Sequence, residues 1–296
     1  MVSELVRWIT PWEPIPWLIA LFALAAGCYI RGLARRRRAR DIFPAIAFFL
    51  GLLSMYVVMQ THVDYFAQYM FFIHRGQHLI LHHLGPFLIA LSMPTAVLAT
   101  GAPYWLNAGV RLLGTLPPVT WAYRFIQHPV ISALLFVGLI YFWLTPSIHF
   151  TAMLSLRDYW VMNLSMALDG LLFWWFMLDP RRPGTTPTTY SVGLRIIVLW
   201  AVMPPQIVIG AYIALAQHTV YDVYAVCGRA FPISPIVDQQ LGGLITWIPA
   251  AMMSVIATLI LLRLGFNHER AAALARDPIA SNTRPPSSSP TESQPI

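Results

Sequence analysis

The chain has 296 residues, of which 57% are hydrophobic and only 10% are charged, and its mean hydropathy is +0.62. Soluble domains carry about 25% charged residues, so this composition excludes an ordinary water-soluble fold and indicates a membrane protein. The net charge is +7, but the basic residues are arginines that cluster between apolar runs. That distribution is typical of membrane topology and argues against nucleic-acid binding.

Seven stretches are apolar enough to cross a bilayer, which requires about 20 residues in a helix. The predicted fold is therefore all-α, a polytopic membrane protein with about seven transmembrane helices. We find no convincing internal repeat, which weakens an inverted-repeat transporter interpretation. The predicted spans are Ile15–Leu33, Phe43–Gln60, Gln68–Met93, His128–Thr145, Tyr159–Leu178, Leu194–Gln217 and Gln239–Leu264.

The arginine-rich loop from Arg31 to Arg40, after the first span, predicts the orientation of the chain. Because basic residues mark the cytoplasmic side, the N-terminus is predicted outside and the C-terminus inside. The remaining loops agree, with 15 arginines inside and 3 outside. The segment before the first span carries Glu4, Arg7 and Glu13 and lacks a basic n-region, so no cleavable signal peptide is expected. These features predict a multi-pass inner-membrane protein.

Several segments lie outside the predicted bundle. Residues 94–127 are apolar but broken by prolines, and their middle, Tyr104–Leu113, predicts a short helix on the inner membrane surface. We divide the chain into a transmembrane domain, 1–266, and a cytoplasmic tail, 267–296, disordered from about 277 because it is rich in Pro, Ser and Thr. Cys28 and Cys227 are far apart, and no disulfide is expected.

Histidines are concentrated in the third span. His74 and His78 are four residues apart and therefore lie on one helix face, whereas His82 lies deeper and is rotated further, with His83 beside it. Met70 extends the same stripe by one turn toward the outside. With the predicted orientation, Met70, His74 and His78 occupy the outer half of the span.

Other histidines also gather at the predicted outer side, in short loops or at span ends. Imidazole binds copper, zinc or iron, and thioether sulfur favours Cu(I). Hydrogen bonding between helices is the structural alternative to a ligand role. We find no Gly-rich phosphate loop, zinc-protease motif or nucleophile elbow, and we expect no enzymatic activity. The candidate metal ligands are His62, His74, His78, His149, His218 and Met70.

A second group of polar residues is predicted to support the ligands. Asp238 is placed to act either as the N-cap of the seventh helix or as the group that orients a ligating imidazole. Arg75 is predicted to pair with Asp64 or Asp238, which would neutralise a buried charge. The candidate supporting residues are Asp64, Arg75, Gln77, Asp238 and Gln239.

Three stretches of this sequence resemble the CtaG-type cytochrome c oxidase assembly factors of bacteria. The first contains His74-Arg-Gly-Gln-His78 and is followed by Pro86. The second, residues 164–175, is similar to the family's Gly-x-Leu-Phe-Trp segment. The third, Asp238-Gln-Gln-Leu-Gly-Gly-Leu-Ile-Thr-Trp247, is the most specific. The resemblance covers roughly residues 51–266 in the same order.

This sequence also departs from the family pattern. Arg75 stands where the family has an apolar residue, His82 and His83 are additional, and Met162-Asn163 replaces a Glu-His pair. The family's histidine at position 163 is therefore replaced by asparagine in this chain.

The resemblance implies a protein that helps to mature the copper centres of a haem–copper oxidase. Its expected partners are cytochrome c oxidase subunits, periplasmic copper chaperones and the lipid bilayer. The ligand types alone also permit zinc or haem iron, so copper rests on the resemblance. A copper transporter and a membrane b-type cytochrome remain the alternative functions.

Overall fold

The structure, a computed structural model, describes residues 11, 13–36 and 42–276, with side chains to residue 273. Within this part of the chain the regular structure is entirely helical, which confirms the all-α class. The helices are α1 (Pro16–Arg36), α2 (Ile42–Gln60), α3 (His62–Tyr69), α4 (Phe71–Leu79), a π-helical segment (Ile80–Leu84), α5 (Gly85–Leu91), α6 (Thr95–Gly101), α7 (Tyr104–Thr115), α8 (Pro117–Ile126), α9 (Pro129–Leu144), α10 (Pro146–Leu154), α11 (Leu156–Leu178), α12 (Val192–Leu215), α13 (Val223–Val226) and α14 (Pro235–Arg276).

Five of the described helices, α1, α2, α11, α12 and α14, are long and apolar enough to cross a membrane. Two bent combinations also qualify. One is Phe71–Leu91 with Thr95–Gly101, bent by 75°, and the other is Pro117–Ile126 with Pro129–Leu144, bent by 74°. Counting each bent combination as one span gives up to seven, in agreement with the number predicted from the sequence.

The third predicted span is less regular than expected. The prediction placed one helix over Gln68–Met93, but Met70 has an extended backbone (φ −140°, ψ 123°) that separates α3 from α4. The next irregularity is the π-helical segment at Ile80–Leu84. Met70 therefore lies at a helix break, although its carbonyl oxygen still accepts from His74 N at 3.0 Å, one turn before His74 as predicted.

Helices α12 and α14 pack closely because small residues face each other between them. A Cβ atom added at Gly243 would lie less than 3.0 Å from the backbone nitrogen of Ala214. Such approaches between backbones are how transmembrane helices gain packing energy without a hydrophobic driving force. This packing fixes α14 beside the bundle, with its first turn near the start of α4.

Two apolar clusters surround the buried histidines. One cluster contains Phe71, Tyr159, Tyr221 and Tyr224, toward the start of α4. The other contains Phe136, Phe173 and Trp174, further along the third span. His149 contacts the first cluster and His82 stacks on Phe136 of the second, with ring centroids 4.1 Å apart. The histidines are thus held at two levels of the bundle.

Two other predictions concern the helix after the third span and the cysteines. The predicted short helix at Tyr104–Leu113 is α7, and neither α7 nor α8 has a buried residue. Cys28 and Cys227 are both free. Arg37, Arg38 and Arg40, which are predicted to lie inside, and the tail from 277 onward are outside the described residues. Helix α14 extends beyond the predicted seventh span at both of its ends.

Candidate functional site

The centre of the candidate site is the pair His74 and His78 on α4. Both side chains are completely buried, and their ring centroids are 4.3 Å apart, as the spacing of four residues predicts. His149, from the short helix α10, brings a third imidazole, with its ring centroid 5.1 Å from that of His74. We call these three residues the outer cluster, after its predicted side of the membrane.

His74 has no hydrogen-bond partner at either of its ring nitrogens, although both are buried. Buried polar atoms in proteins are nearly always hydrogen-bonded, so an imidazole with two unpartnered nitrogens calls for a physical explanation. The side chains packed around it include the ring of Tyr159, whose centroid is 6.2 Å away. His74 is therefore the member of the outer cluster that is free to accept a ligand.

The hydrogen bonds of His78 define its tautomer. Its Nδ1 lies 3.3 Å from a guanidinium nitrogen of Arg75, which can only donate. Its Nε2 therefore carries the proton and donates to Asn163 Oδ1 at 3.1 Å. Asn163 stands where the resembling family has a histidine, and here it holds the ring of His78 in place.

His149 has the opposite tautomer. Its Nδ1 donates to the carbonyl oxygen of Trp143 at 3.1 Å, so Nε2 carries the lone pair and accepts from the hydroxyl of Tyr224 at 3.0 Å. Burial and the charge of Arg75 lower the pKa of His149 to about 3, which keeps the ring neutral. Burial, followed by the charge of Asp238, raises the pKa of Tyr224, so its hydroxyl stays protonated.

Arg75 is buried inside the bundle next to the outer cluster. The prediction that it pairs with Asp64 or Asp238 was wrong. Its side chain instead donates to Thr246 Oγ1 at 3.0 Å and contacts His78. Asp238 is not available because Arg229 from the preceding loop already forms its ion pair. Arg75 thus links α4 to α14 through a hydroxyl.

Asp64 and Gln77 form a polar network with Tyr159 beside the outer cluster. The carboxylate accepts hydrogen bonds from Gln77 Nε2 and from the Tyr159 hydroxyl, each at 2.7 Å, and Gln77 also donates to the Val58 carbonyl at 2.7 Å. Burial raises the pKa of Asp64 to about 6, although these hydrogen bonds oppose the shift. The network connects α2, α3, α4 and α11.

Asp238 caps a helix other than its own. It was predicted either as the N-cap of the seventh helix or as the group that orients a ligating imidazole, but α14 begins at Pro235, and Ser234 accepts the hydrogen bond from Val237 N there. The Asp238 carboxylate accepts instead from the backbone nitrogens of Phe71 and Phe72, at 3.1 and 2.9 Å. It therefore satisfies the exposed N–H groups at the start of α4, the helix that carries His74 and His78.

Gln239 holds the loop that follows α12. Its Oε1 accepts from Val220 N at 2.6 Å, and its Nε2 donates to the backbone carbonyl of His218 at 3.1 Å. Gln239 thus contacts the backbone of His218 and fixes the loop that leads to Tyr221 and Tyr224. It orients the outer cluster through this loop instead of bonding an imidazole ring.

The predicted ligands are only partly brought together. His74, His78 and His149 form the outer cluster, whereas His218 is exposed and His62 is half-buried on α3. Met70 is buried at the break between α3 and α4. In the described part of the chain, no group of three or more His, Cys, Asp or Glu side chains is arranged to hold a metal ion.

Tyr159 and Tyr224 contact the site but were not predicted from the sequence. A tyrosine in or beside a transmembrane span is common, because its ring suits the membrane interface. One sequence therefore carries no signal that separates these two tyrosines from the others.

The fold and the site together define a class, polytopic α-helical membrane proteins with a cluster of buried imidazoles near one end of the bundle. Within that class, the chain belongs to the cytochrome c oxidase caa3 assembly factor family, whose sequence profile matches residues 27–265. The resemblance stated from the three sequence stretches is thereby confirmed.

Curated relatives from mycobacteria are similar to this chain. An uncharacterized protein of Mycobacterium leprae (strain TN) is 27% identical over 95% of this chain and 43% of its own length. Uncharacterized proteins of Mycobacterium bovis and Mycobacterium tuberculosis are each 27% identical over 82% of this chain and 37% of their own length. The chain thus spans less than half the length of these relatives. No solved structure matches it.

Proposed function

We propose that this protein assists the assembly of a haem–copper cytochrome c oxidase by holding copper for its copper centres. Membership of the caa3 assembly factor family supports the assembly role. The observation that carries the copper role is His74, whose two buried and unpartnered ring nitrogens lie beside two further imidazoles. Copper is the cargo in this proposal, and the protein catalyses no reaction.

The side chains of the outer cluster fit this cargo with a small rearrangement. His74 needs to give up no hydrogen bond, and His149 presents a lone pair at Nε2 that is covered only by the Tyr224 hydroxyl. Exchanging that hydrogen bond for a metal bond costs about 1 kcal/mol, which is far less than metal coordination contributes. Because the Arg75 guanidinium lies nearby, monovalent copper is favoured over a divalent ion.

We further propose that the cluster faces the outside of a bacterial inner membrane. The arginine distribution supports this orientation, since basic loops mark the cytoplasmic side. The outer side is where periplasmic copper chaperones would deliver metal and where the oxidase subunits would receive it. Asn163 in this arrangement substitutes for the histidine of the resembling family as an orienting group on His78.

A copper transporter is the second candidate function. The observation in its favour is that His82 and His83 continue the row of imidazoles toward the middle of the bundle. A membrane cytochrome is disfavoured because aromatic side chains fill the space around the outer cluster. An optical spectrum of the purified protein distinguishes haem from copper directly.

Copper binding to the purified full-length protein tests the proposal. Because His74 is the unpartnered ring, His74→Asn should remove the copper bound at the outer cluster while preserving the yield of folded protein. His128→Gln is the matched control, since His128 is exposed at the start of α9. Equal copper binding by the unaltered protein and the His74→Asn variant would assign His74 a structural role.

A further inference from the structure

His82 and His83 form a second pair of buried imidazoles, deeper in the bundle than the outer cluster. They are adjacent in sequence, yet 0% and 4% of their respective surfaces are exposed. Consecutive residues of an α-helix point about 100° apart, so one of them would normally leave the core. The π-helical segment at Ile80–Leu84 turns both rings inward, and such segments occur often at functional sites.

Each of these rings is tied by one nitrogen to an oxygen acceptor on another helix. His82 Nε2 lies 2.9 Å from Asp169 Oδ2 on α11, and His83 Nε2 lies 3.1 Å from Gln206 Oε1 on α12. The Gln206 amide is fixed in this orientation because its Nε2 donates to the Val202 carbonyl at 3.0 Å. Both imidazoles therefore donate through Nε2–H, and both carry their lone pair on Nδ1.

The two Nδ1 atoms are buried and have no hydrogen-bond partner. A carboxylate or amide oxygen on one imidazole nitrogen with a free lone pair on the other is the arrangement found behind metal-bound histidines. The two rings are 4.9 Å apart between centroids and nearly perpendicular, at 78°. Two metal–nitrogen bonds of about 2.0 Å each are sufficient to join imidazoles at this separation.

We propose that His82 and His83 bind one Cu(I) ion through their Nδ1 atoms, in a two-coordinate site separate from the outer cluster. The pair borders a cavity of about 10 Å³ that also touches His78, Arg75 and Thr246, which is room for one small atom. Zinc requires about four ligands, and in the described residues no group of three or more His, Cys, Asp or Glu side chains is arranged to hold a metal ion. A monovalent copper ion, which imidazole nitrogens bind and which needs only two ligands here, agrees with both the small cavity and the short ligand list.

The charges around the pair also favour a monovalent cation. The Asp169 carboxyl group lies against His82 on one side, while Arg75 is engaged by Thr246 and His78 on the other. One added positive charge is offset by the Asp169 carboxylate, whereas two would leave an unpaired charge in a low-dielectric interior. The site stands independently of the copper role proposed for the outer cluster.

The close approach of α11 positions Asp169. A Cβ atom at the neighbouring Gly170 would lie less than 3.0 Å from the His82 carbonyl oxygen. The glycine lets the backbone of α11 touch the π-helical segment, and this contact brings the carboxylate within hydrogen-bond distance of His82. The pair is thus held by three helices, which is the rigidity that a metal site requires.

The test is an anaerobic Cu(I) titration of the full chain in detergent against a competing chelator. The double variant His82→Gln with His83→Gln keeps an N–H donor near each Nε2 position but removes both Nδ1 lone pairs. The double variant should lose one copper per chain relative to the unaltered protein. His128→Gln should lose none. A double variant that binds as much copper as the unaltered protein would overturn the proposal.

X-ray absorption on the His74→Asn variant provides the second measurement, which needs no change at the pair. The copper that remains should have two nitrogen neighbours and no sulfur. Absence of copper from a folded His74→Asn protein, or a centre with three or more ligands, would contradict the deep site. If His74→Asn loses copper from the outer cluster but keeps copper at His82 and His83, the two sites are separate. The proposed function and the deep site can therefore fail independently of each other.

Discussion

Asp238 is the side chain that connects the outer cluster to the rest of the bundle. Its carboxylate caps α4 at two backbone nitrogens and pairs with Arg229, although 167 residues separate it from Phe71. The start of α4 therefore depends on α14 for its caps. His74 and His78 lie within the first two turns of that helix, so their positions depend on the same contact.

Replacing Asp238 by alanine should destabilise the protein more than removing an ordinary cap. Ser234→Ala, which removes the N-cap of α14, should cost about 1 kcal/mol. Asp238→Ala should cost about 3–5 kcal/mol, because it also leaves the Arg229 charge without its partner. Thermal unfolding midpoints of both variants in detergent provide the comparison. Equal midpoints for the two variants would refute the capping role across helices.

Asp64 predicts a pH dependence of stability. Its pKa is about 6 in the folded protein because of burial, above the ordinary value of 3.8. Between these two values the folded state binds more protons than the unfolded state, so stability falls as pH rises from about 4 to about 6. Unfolding midpoints measured across this range should decrease less with pH in Asp64→Asn than in the unaltered protein. Asp222→Asn, at an exposed carboxylate, is the control and should keep the slope of the unaltered protein.

At the scale of single elements, the contact between α11 and the π-helical segment sets the depth of His82 and His83. Gly170→Ala places a methyl group against the His82 carbonyl and should force the helices apart. Gly138→Ala on α9 is the matched change, since a Cβ there meets nothing within 4 Å. We expect Gly170→Ala to lower the unfolding midpoint, which corresponds to a loss of about 1–3 kcal/mol in the free energy of unfolding. Gly138→Ala should cause no loss of stability. A Gly170→Ala protein as stable as the Gly138→Ala protein would contradict this packing.

The sequence predicted these elements unevenly. The hydrophobic runs located the spans, and the spacing of four residues predicted that His74 and His78 face each other, because both signals are local. The break at Met70 and the π-helical segment depend on contacts with other helices. The same holds for Asp238, whose partners lie 166 and 167 residues away, and for Asn163, which meets His78 from α11. A single sequence does not show which residues that are far apart in the chain meet in the fold.

For the whole molecule, the orientation in the membrane determines which side the outer cluster faces. The arginine-rich loops predict an outside N-terminus and an inside C-terminus. Reporter fusions at the N-terminus and at Pro290 should therefore give opposite signals for cytoplasmic location. A periplasmic signal from the fusion at Pro290 would place the outer cluster on the cytoplasmic side.

The two levels of histidines give the molecule a layered arrangement. The outer cluster lies beside the loops that follow α9 and α12, and the deep pair lies between α11, α12 and the π-helical segment. Because apolar packing holds the bundle together and individual interhelical hydrogen bonds in membranes average about 0.6 kcal/mol, the loss of one imidazole should spare the fold. Function and stability can therefore be separated experimentally.

The measurement that tests the central claim most directly is the copper content and activity of cytochrome c oxidase in cells that carry His74→Asn in place of the unaltered protein. We predict a normal level of the variant in the membrane and an oxidase with less copper and lower activity. Adding copper should partly restore the oxidase activity, because a higher copper concentration can replace a lost delivery step. Cells with His128→Gln should match the unaltered strain. An oxidase with full copper content and full activity in the His74→Asn strain under copper limitation would contradict the account.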